Sequence, residues 1–252
     1  MSEWLVLAVA LALVCALVVT VAVLRHRRAD VDEDTSETPD VIEYMVMMVG
    51  VVYAIVLGLA IAGVWEARGA AEDSVRREAQ ALYEVSRRVE VYPPEVRERI
   101  RGEIDAYASH AMTTEWASMT EGVAPSAQGA HLLDQVRGDI TRQAPANELQ
   151  AGAYQPLLDQ IAIADDARHV RVSGAESTLP GVVWFGLVGG GVVTVGLIFT
   201  LQIRRSAREL LLAGVFSGLI VFLLFLVWNF DAPFGRSGTQ SAEPFRELLI
   251  EA

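Results

Sequence analysis

The stretch Tyr44–Trp65, YMVMMVGVVYAIVLGLAIAGVW, decides the fold because it holds no charged side chain from end to end. A spanning helix needs about 20 apolar residues to cross roughly 30 Å of hydrocarbon. A charge near its centre costs about 2.5–3.5 kcal/mol on insertion scales. Three other runs meet the same conditions: Trp4–Leu24, Gly181–Leu201 and Leu210–Phe230. The pattern predicts an all-α protein with four transmembrane helices, two on each side of a helical extramembrane domain. The expected division is 1–43 (first span and acidic linker), 44–65 (second span), 66–179 (helical domain), 180–230 (third and fourth spans) and 231–252 (short tail).

Composition narrows the classes. The net charge is −12, and every basic side chain is Arg. From Glu66 to Glu176 there are 12 Arg against 19 acids. That balance repels phosphate backbones, so no nucleic-acid partner is expected. Cys15 is the only cysteine and lies inside the first apolar run, which excludes an internal disulfide or a thiolate metal cluster. Met1-Ser2-Glu3 lacks the positive start of a signal peptide, so the first run reads as a retained helix.

Arginines in short loops favour the cytoplasm. Arg25, Arg27 and Arg28 follow the first run, and Arg204, Arg205 and Arg208 fill the turn between the third and fourth. Both loops therefore read as cytoplasmic, with the helical domain and both termini outside. The linker holds Asp30, Asp32, Asp34 and Glu37 at a spacing like that of a calcium loop. Thr35 stands where that loop needs Gly, and Val41 where it needs a bidentate Glu, so it reads as a solvated linker.

In the domain, Val75, Ala79, Leu82, Val85 and Val89 make one apolar stripe on a helix continuing from the second span. Tyr92-Pro93-Pro94 stops it. A second helix carries Val96, Ile100, Ile104, Tyr107 and Ala111. After a turn at Gly122 and Pro125, Ser126 is placed to cap a third helix with Leu133, Val136 and Ile140 inward. Asn147 and Gln150 resemble a capping box opening a fourth helix with Tyr154, Leu158 and Ile161, with Pro156 near its start.

No chemistry-bearing motif stands out. His26, His110, His131 and His169 lack zinc spacing, and no nucleophile elbow or phosphate-binding glycine loop occurs. No catalytic, cofactor-binding or metal-ligating residue is assigned, no cofactor is expected, and the reading is of a non-enzyme. The spans hold no ionisable group of the kind a proton relay needs. They do hold small residues at spacing four: Gly50, Ala54, Gly58 and Ala62; Gly186 and Gly190; Gly214 and Gly218. Such ladders let membrane helices approach closely, within one chain or between chains. Phe216, Phe222 and Phe225 are candidates for lining an apolar path.

Several local features occur in a characteristic order: Arg77-Glu78-Ala79 with Leu82-Tyr83, Tyr107, Glu115-Trp116, Arg168-His169-Val170-Arg171, Leu179-Pro180 leading to Trp184, and Pro233-Phe234-Gly235. From about residue 40 onward the chain resembles a bacterial family of four-span membrane proteins labelled bestrophin-like. The resemblance implies no catalytic residues. By analogy of architecture with bestrophins, pentameric anion channels, it implies a homo-oligomer in a lipid bilayer. Bestrophins keep their helical segment in the cytoplasm, against the arginine count here. Their calcium-binding acidic cluster after the fourth span has no counterpart in the dispersed Asp231, Glu243, Glu247 and Glu251. The resemblance marks Arg77, Glu78, Glu115, Trp116, Arg168, Arg171, Asp231, Pro233, Phe234 and Gly235 as a candidate cluster, with Glu78 or Glu115 expected to pair with Arg168 or Arg171. Two functional readings follow: an ion channel, or a non-conducting protein whose domain binds an envelope or signalling partner.

Overall fold

The computed structural model describes residues 20, 40–121, 123, 125–175, 178–200, 207–234 and 242–251. The described residues form helices and no strand. They are α1 (Asp40–Arg88), a 3-10 turn (Val89–Val91), α2 (Pro94–His110), a π-helical turn (Ala111–Glu115), α3 (Trp116–Thr120), α4 (Gln128–Arg142), α5 (Glu148–Ser173), α6 (Gly181–Thr200), α7 (Ala207–Phe230) and α8 (Glu243–Glu251). Three of these helices are long and apolar enough to cross a membrane. The fourth expected span, Trp4–Leu24, lies outside the described residues except for Thr20, as do the loop arginines from Arg25 to Arg28 and at Arg204 and Arg205. Two compact units emerge: Met1–Trp65 with Leu179–Asp231, and Glu66–Thr178 with Ala232–Ala252.

The first unit is the apolar one. At 1.5 Å per residue the 49 residues of α1 run about 73 Å, more than twice the hydrocarbon thickness, so only its apolar half can span. Tyr53, Leu57, Ala60 and Val64 recur at helical spacing and pack with Leu187, Ile220 and Val227. Trp65 ends the apolar part of α1 and meets Phe230 at the end of α7 edge-on, with ring centroids 5.4 Å apart. α1 and α7 therefore run parallel and α6 antiparallel to both. Trp65, Trp184 and Trp228 mark the boundary level at which amphipathic rings anchor membrane helices.

The small-residue ladders divide unequally here. On α1, Ala54, Gly58 and Ala62 are exposed and Gly50 half-buried. No described atom lies within 4 Å of a Cβ added at Gly50, Gly58, Gly186 or Gly214. Gly218 is half-buried. Within one chain, α1 thus packs on the stripe beside its ladder, because the aromatic ring of Tyr53 fills the gap to α6. Gly190 takes part: a Cβ there would sit 2.8 Å from Tyr53 Cδ2. Its neighbour Gly191, which the four-residue spacing passes over, leaves room for the Tyr53 hydroxyl at 2.9 Å. That hydroxyl donates to the Leu187 carbonyl at 3.1 Å. Thr194 and Ser217 donate to the carbonyls of Gly190 and Ala213, four residues back, so neither hydroxyl is bare in an apolar medium.

The second unit is a helical domain with one core, which includes Val75, Leu82, Val85, Ile100, Ile104, Tyr107, Leu133, Val136, Leu157 and Ile161. Asn147 caps α5 by accepting from the Gln150 amide at 2.8 Å. The Gln150 side chain returns the bond to the Ala146 amide, one residue before the reciprocal box position, and donates to Val91 O at 3.1 Å. α5 continues through Pro156. Ser126 only weakly meets the Gln128 amide, at 3.4 Å, and the α4 cap position is Ala127. The π turn after α2 is not foreshadowed by the stripes. Tyr107, Ala111, Glu115 and Met119 are all buried at steps of four. In an ideal α-helix such steps drift by about 40° each, and a wider turn absorbs the drift.

Gly190→Val should destabilise the membrane unit by about 1–3 kcal/mol through overpacking against Tyr53. Tyr53→Phe, which removes one interhelical hydrogen bond, should cost about 0.6 kcal/mol. Reversible unfolding in detergent followed by circular dichroism checks both; equal effects would contradict the packing described.

Candidate functional site

Four charged side chains meet inside the helical domain, carried by α1, the π turn and α5. Each sits in register with an apolar stripe: Glu78 between Val75 and Leu82, Glu115 between Ala111 and Met119, Arg168 and Arg171 beyond Ala164 and Ala167. Glu78 and Arg171 are 0 % exposed, and Glu115 and Arg168 are 1 % and 9 % exposed. Burying an ion is expensive unless it is paired and its remaining valences are met.

The geometry meets both needs. Arg171 grips Glu78 with two prongs, Nε to Oε2 at 2.6 Å and Nη2 to Oε1 at 3.0 Å. Its Nη2 also donates to Glu115 Oε2 at 2.7 Å, and Nη1 approaches Met119 Sδ at 3.2 Å. Arg168 donates to Glu115 Oε1 through Nε at 3.1 Å and Nη2 at 2.5 Å. The Tyr107 hydroxyl donates to Glu78 Oε1. Every oxygen of both carboxylates thus accepts a hydrogen bond, and two anions balance two cations. From α8, Phe245 lies with its ring centroid 5.7 Å from the Arg171 guanidinium.

The charge states follow from this balance. Burial opposes ionisation of Glu115, but the Arg171 charge and the hydrogen bonds from Arg168 and Arg171 outweigh it and hold the carboxyl below its ordinary value. Burial likewise opposes the Arg171 charge, and Glu78 more than compensates, raising its pKa. Burial first, and then the negative Glu78, push the Tyr107 phenol well above its ordinary range. Tyr107 stays a donor, and Glu115 and Arg171 stay ionised at neutral pH.

Not all of the expected cluster joins this network. Arg77 is exposed on α1 and reaches only the Asp73 carbonyl, at 3.3 Å. Trp116 meets Phe234 edge-on at 5.5 Å. Pro233 and Phe234 are buried, and Gly235 lies outside the described residues. Asp231 belongs to the membrane unit. It accepts from the Leu179 amide at 2.7 Å and Trp184 Nε1 at 3.1 Å, tying the start of α6 to the end of α7. Sequence reasoning passed over Gly129, Met119 and Phe245. At Gly129 a Cβ would lie 2.0 Å from Glu115 Oε1 and 2.9 Å from Arg168 Nε. Nothing local in the sequence signals that demand, because the crowding atoms come from elsewhere in the chain. Among the described residues no group of His, Cys, Asp or Glu is arranged to hold a metal ion. The network is built to clamp helices together.

The comparisons with known proteins agree with this architecture. A family model described as a bestrophin-like domain matches residues 6–245. Crystal structures of three variants of a bacterial bestrophin homologue from Klebsiella pneumoniae share the fold. One has a TM-score of 0.75 at 14 % identity, covering 96 % of this chain and 97 % of the other. A second has 0.74 at 13 %, covering 97 % and 98 %. The third has 0.73 at 13 %, covering 97 % of each. No curated protein matches the chain.

Because the folded Glu115 carboxyl lies below its ordinary value of 4.5, its contribution to stability is complete above pH about 4.5 and disappears as pH falls through the folded value. Acid titration of thermal unfolding should show this loss, and Glu115→Gln should lack that component. Arg171→Leu, which leaves the buried Glu78 carboxylate without a cation and Glu115 with Arg168 alone, should cost about 3–5 kcal/mol. Gly129→Ala should also destabilise, since its methyl displaces a carboxylate pinned by two arginines; a neutral Gly129→Ala in denaturant titration would contradict the geometry.

Proposed function

The chain belongs to the bestrophin-like family of membrane proteins, and from that premise we propose that it is a homo-oligomeric channel passing small ions, anions foremost, along an apolar path. The observation that carries the reading is the extent of the likeness, with the family model spanning residues 6–245 and the shared fold covering about the whole chain. The character of the spans supports it. The stretches Tyr44–Trp65, Gly181–Thr200 and Leu211–Phe230 carry no charged side chain, so any path along them is lined by apolar groups, small residues and backbone. Hydrophobic constrictions of this kind gate conduction by dewetting. The exposed faces of α1 and α7, with Ala54, Gly58, Phe216 and Phe222, are available to lipid or to further copies of the chain.

The arginine distribution supports short loops in the cytoplasm, with the helical domain and both termini outside. The bestrophin architecture points the other way, so the side is read directly by labelling. In a Cys15→Ser background, Ala144→Cys on the exposed surface after α4 should react with an impermeant maleimide added to intact cells. Protection until lysis would place the domain inside.

Native mass spectrometry in nanodiscs should give a closed ring of four or more subunits. Vesicles holding the protein should then show anion flux, altered by Phe222→Ser. A ring without flux would leave the non-conducting, partner-binding alternative; a monomer or dimer would remove the channel reading.

A further inference from the structure

The helical domain leaves two complementary stripes unused. Between Glu66 and Glu176, nine of the 12 arginines pair with a described carboxylate, and Arg68 is engaged as well. Arg77 and Arg87 stand apart, both exposed on α1. Arg77 reaches only a backbone carbonyl, and Arg87 only Tyr83, with its guanidinium 5.9 Å from the ring centroid. With Gln80 and Glu84 they form one face, at spacings of three, four and three. In a domain with so large an acidic excess, two exposed arginines that pair with no described carboxylate are a specific feature.

The second stripe lies on α5. Asp159, Ile163, Asp166 and Val170 recur at spacings of four, three and four. Ile163 is 44 % and Val170 38 % exposed, so two large apolar side chains stand in water. Asp159 accepts only from the Gln155 amide, at 3.0 Å, and no described cation pairs with Asp166. The occupant of this stripe must cover Ile163 and Val170 while neutralising two aspartates.

We propose that the Asp159–Val170 stripe of α5 docks on the Arg77–Arg87 face of α1 in the next copy of this chain, forming a head-to-tail contact. A symmetric α5-on-α5 contact would set Asp159 and Asp166 against their own copies, and like charges across an interface are strongly disfavoured. The head-to-tail arrangement instead meets acid with arginine and lays Ile163 against the Tyr83 and Gln80 surface. A contact between two different faces closes into a ring when its rotation permits, whereas a self-complementary contact stops at a dimer. The interface rests on the homo-oligomer proposed above and specifies which surfaces build it.

Two differently tagged chains, both Cys15→Ser, test it: one carries Gln80→Cys and the other Ile163→Cys. Co-expressed, purified and mildly oxidised, they should give a covalent dimer of twice 27.4 kDa carrying both tags and reversed by reductant. Adding Asp159→Arg and Asp166→Arg to the Ile163→Cys chain should cut its yield by about tenfold or more. Adding Arg77→Asp and Arg87→Asp to the partner should restore it. Absence of the mixed dimer in protein that native mass spectrometry shows assembled would overturn this interface alone. Crosslinking only between two Ile163→Cys chains would replace it with the symmetric contact. A monomeric parent protein would overturn the homo-oligomer itself.

Discussion

The helical domain depends on one constraint: the Arg171 guanidinium, wholly withdrawn from water, needs two carboxylates at once. Glu78 comes from α1, Glu115 from the π turn and Arg171 from α5, so the Arg171 bonds join residues 56 and 93 positions apart in the chain. Each partner left alone would be an uncompensated buried charge, which is why such a cluster holds together or fails as a unit. The π turn, the absence of a side chain at Gly129 and the ring of Phe245 over the guanidinium all serve this arrangement. Apolar replacement of a whole buried ion cluster is often neutral in stability; what the ions add is direction, because a two-pronged guanidinium–carboxylate pair fixes the rotation of both helices. 

The membrane unit solves a different problem with different means. Lipid is as apolar as leucine, so helices there gain little from burial and rely on close fit and a few hydrogen bonds. Tyr53 supplies both, filling the space over Gly190 and Gly191 and bonding to the Leu187 carbonyl. Asp231, buried at the end of α7, is made tolerable by the hydrogen bonds it accepts from the Leu179 amide and the Trp184 indole. Charge is thus kept out of the described spans and concentrated in a neutral core elsewhere in the chain.

The fold was legible because its signals are local. Uncharged runs, stripes at helical spacing and Asn147 before Gln150 each express a rule acting within a few residues, and the described helices follow three of the four runs, the stripes and the cap. The pairing of Glu78 and Glu115 with Arg168 and Arg171 was partly legible, since each charge interrupts an apolar stripe where solvent-facing residues do not belong. Arg77 sits beside Glu78 yet points to water, one residue being about 100° around the helix. Its neighbour's burial carries no information about its own.

By itself, then, the sequence determined an all-helical membrane protein with an acidic helical domain, because hydrophobic periodicity and the exclusion of charge from hydrocarbon are read one segment at a time. Tertiary structure alone decided that Gly129 must lack a side chain, that Phe245 covers Arg171, that α1 packs on Tyr53 instead of its glycine ladder, and that Asp231 belongs to the membrane unit. Those outcomes depend on which atoms of distant segments arrive at the same place, and local periodicity contains no term for that meeting.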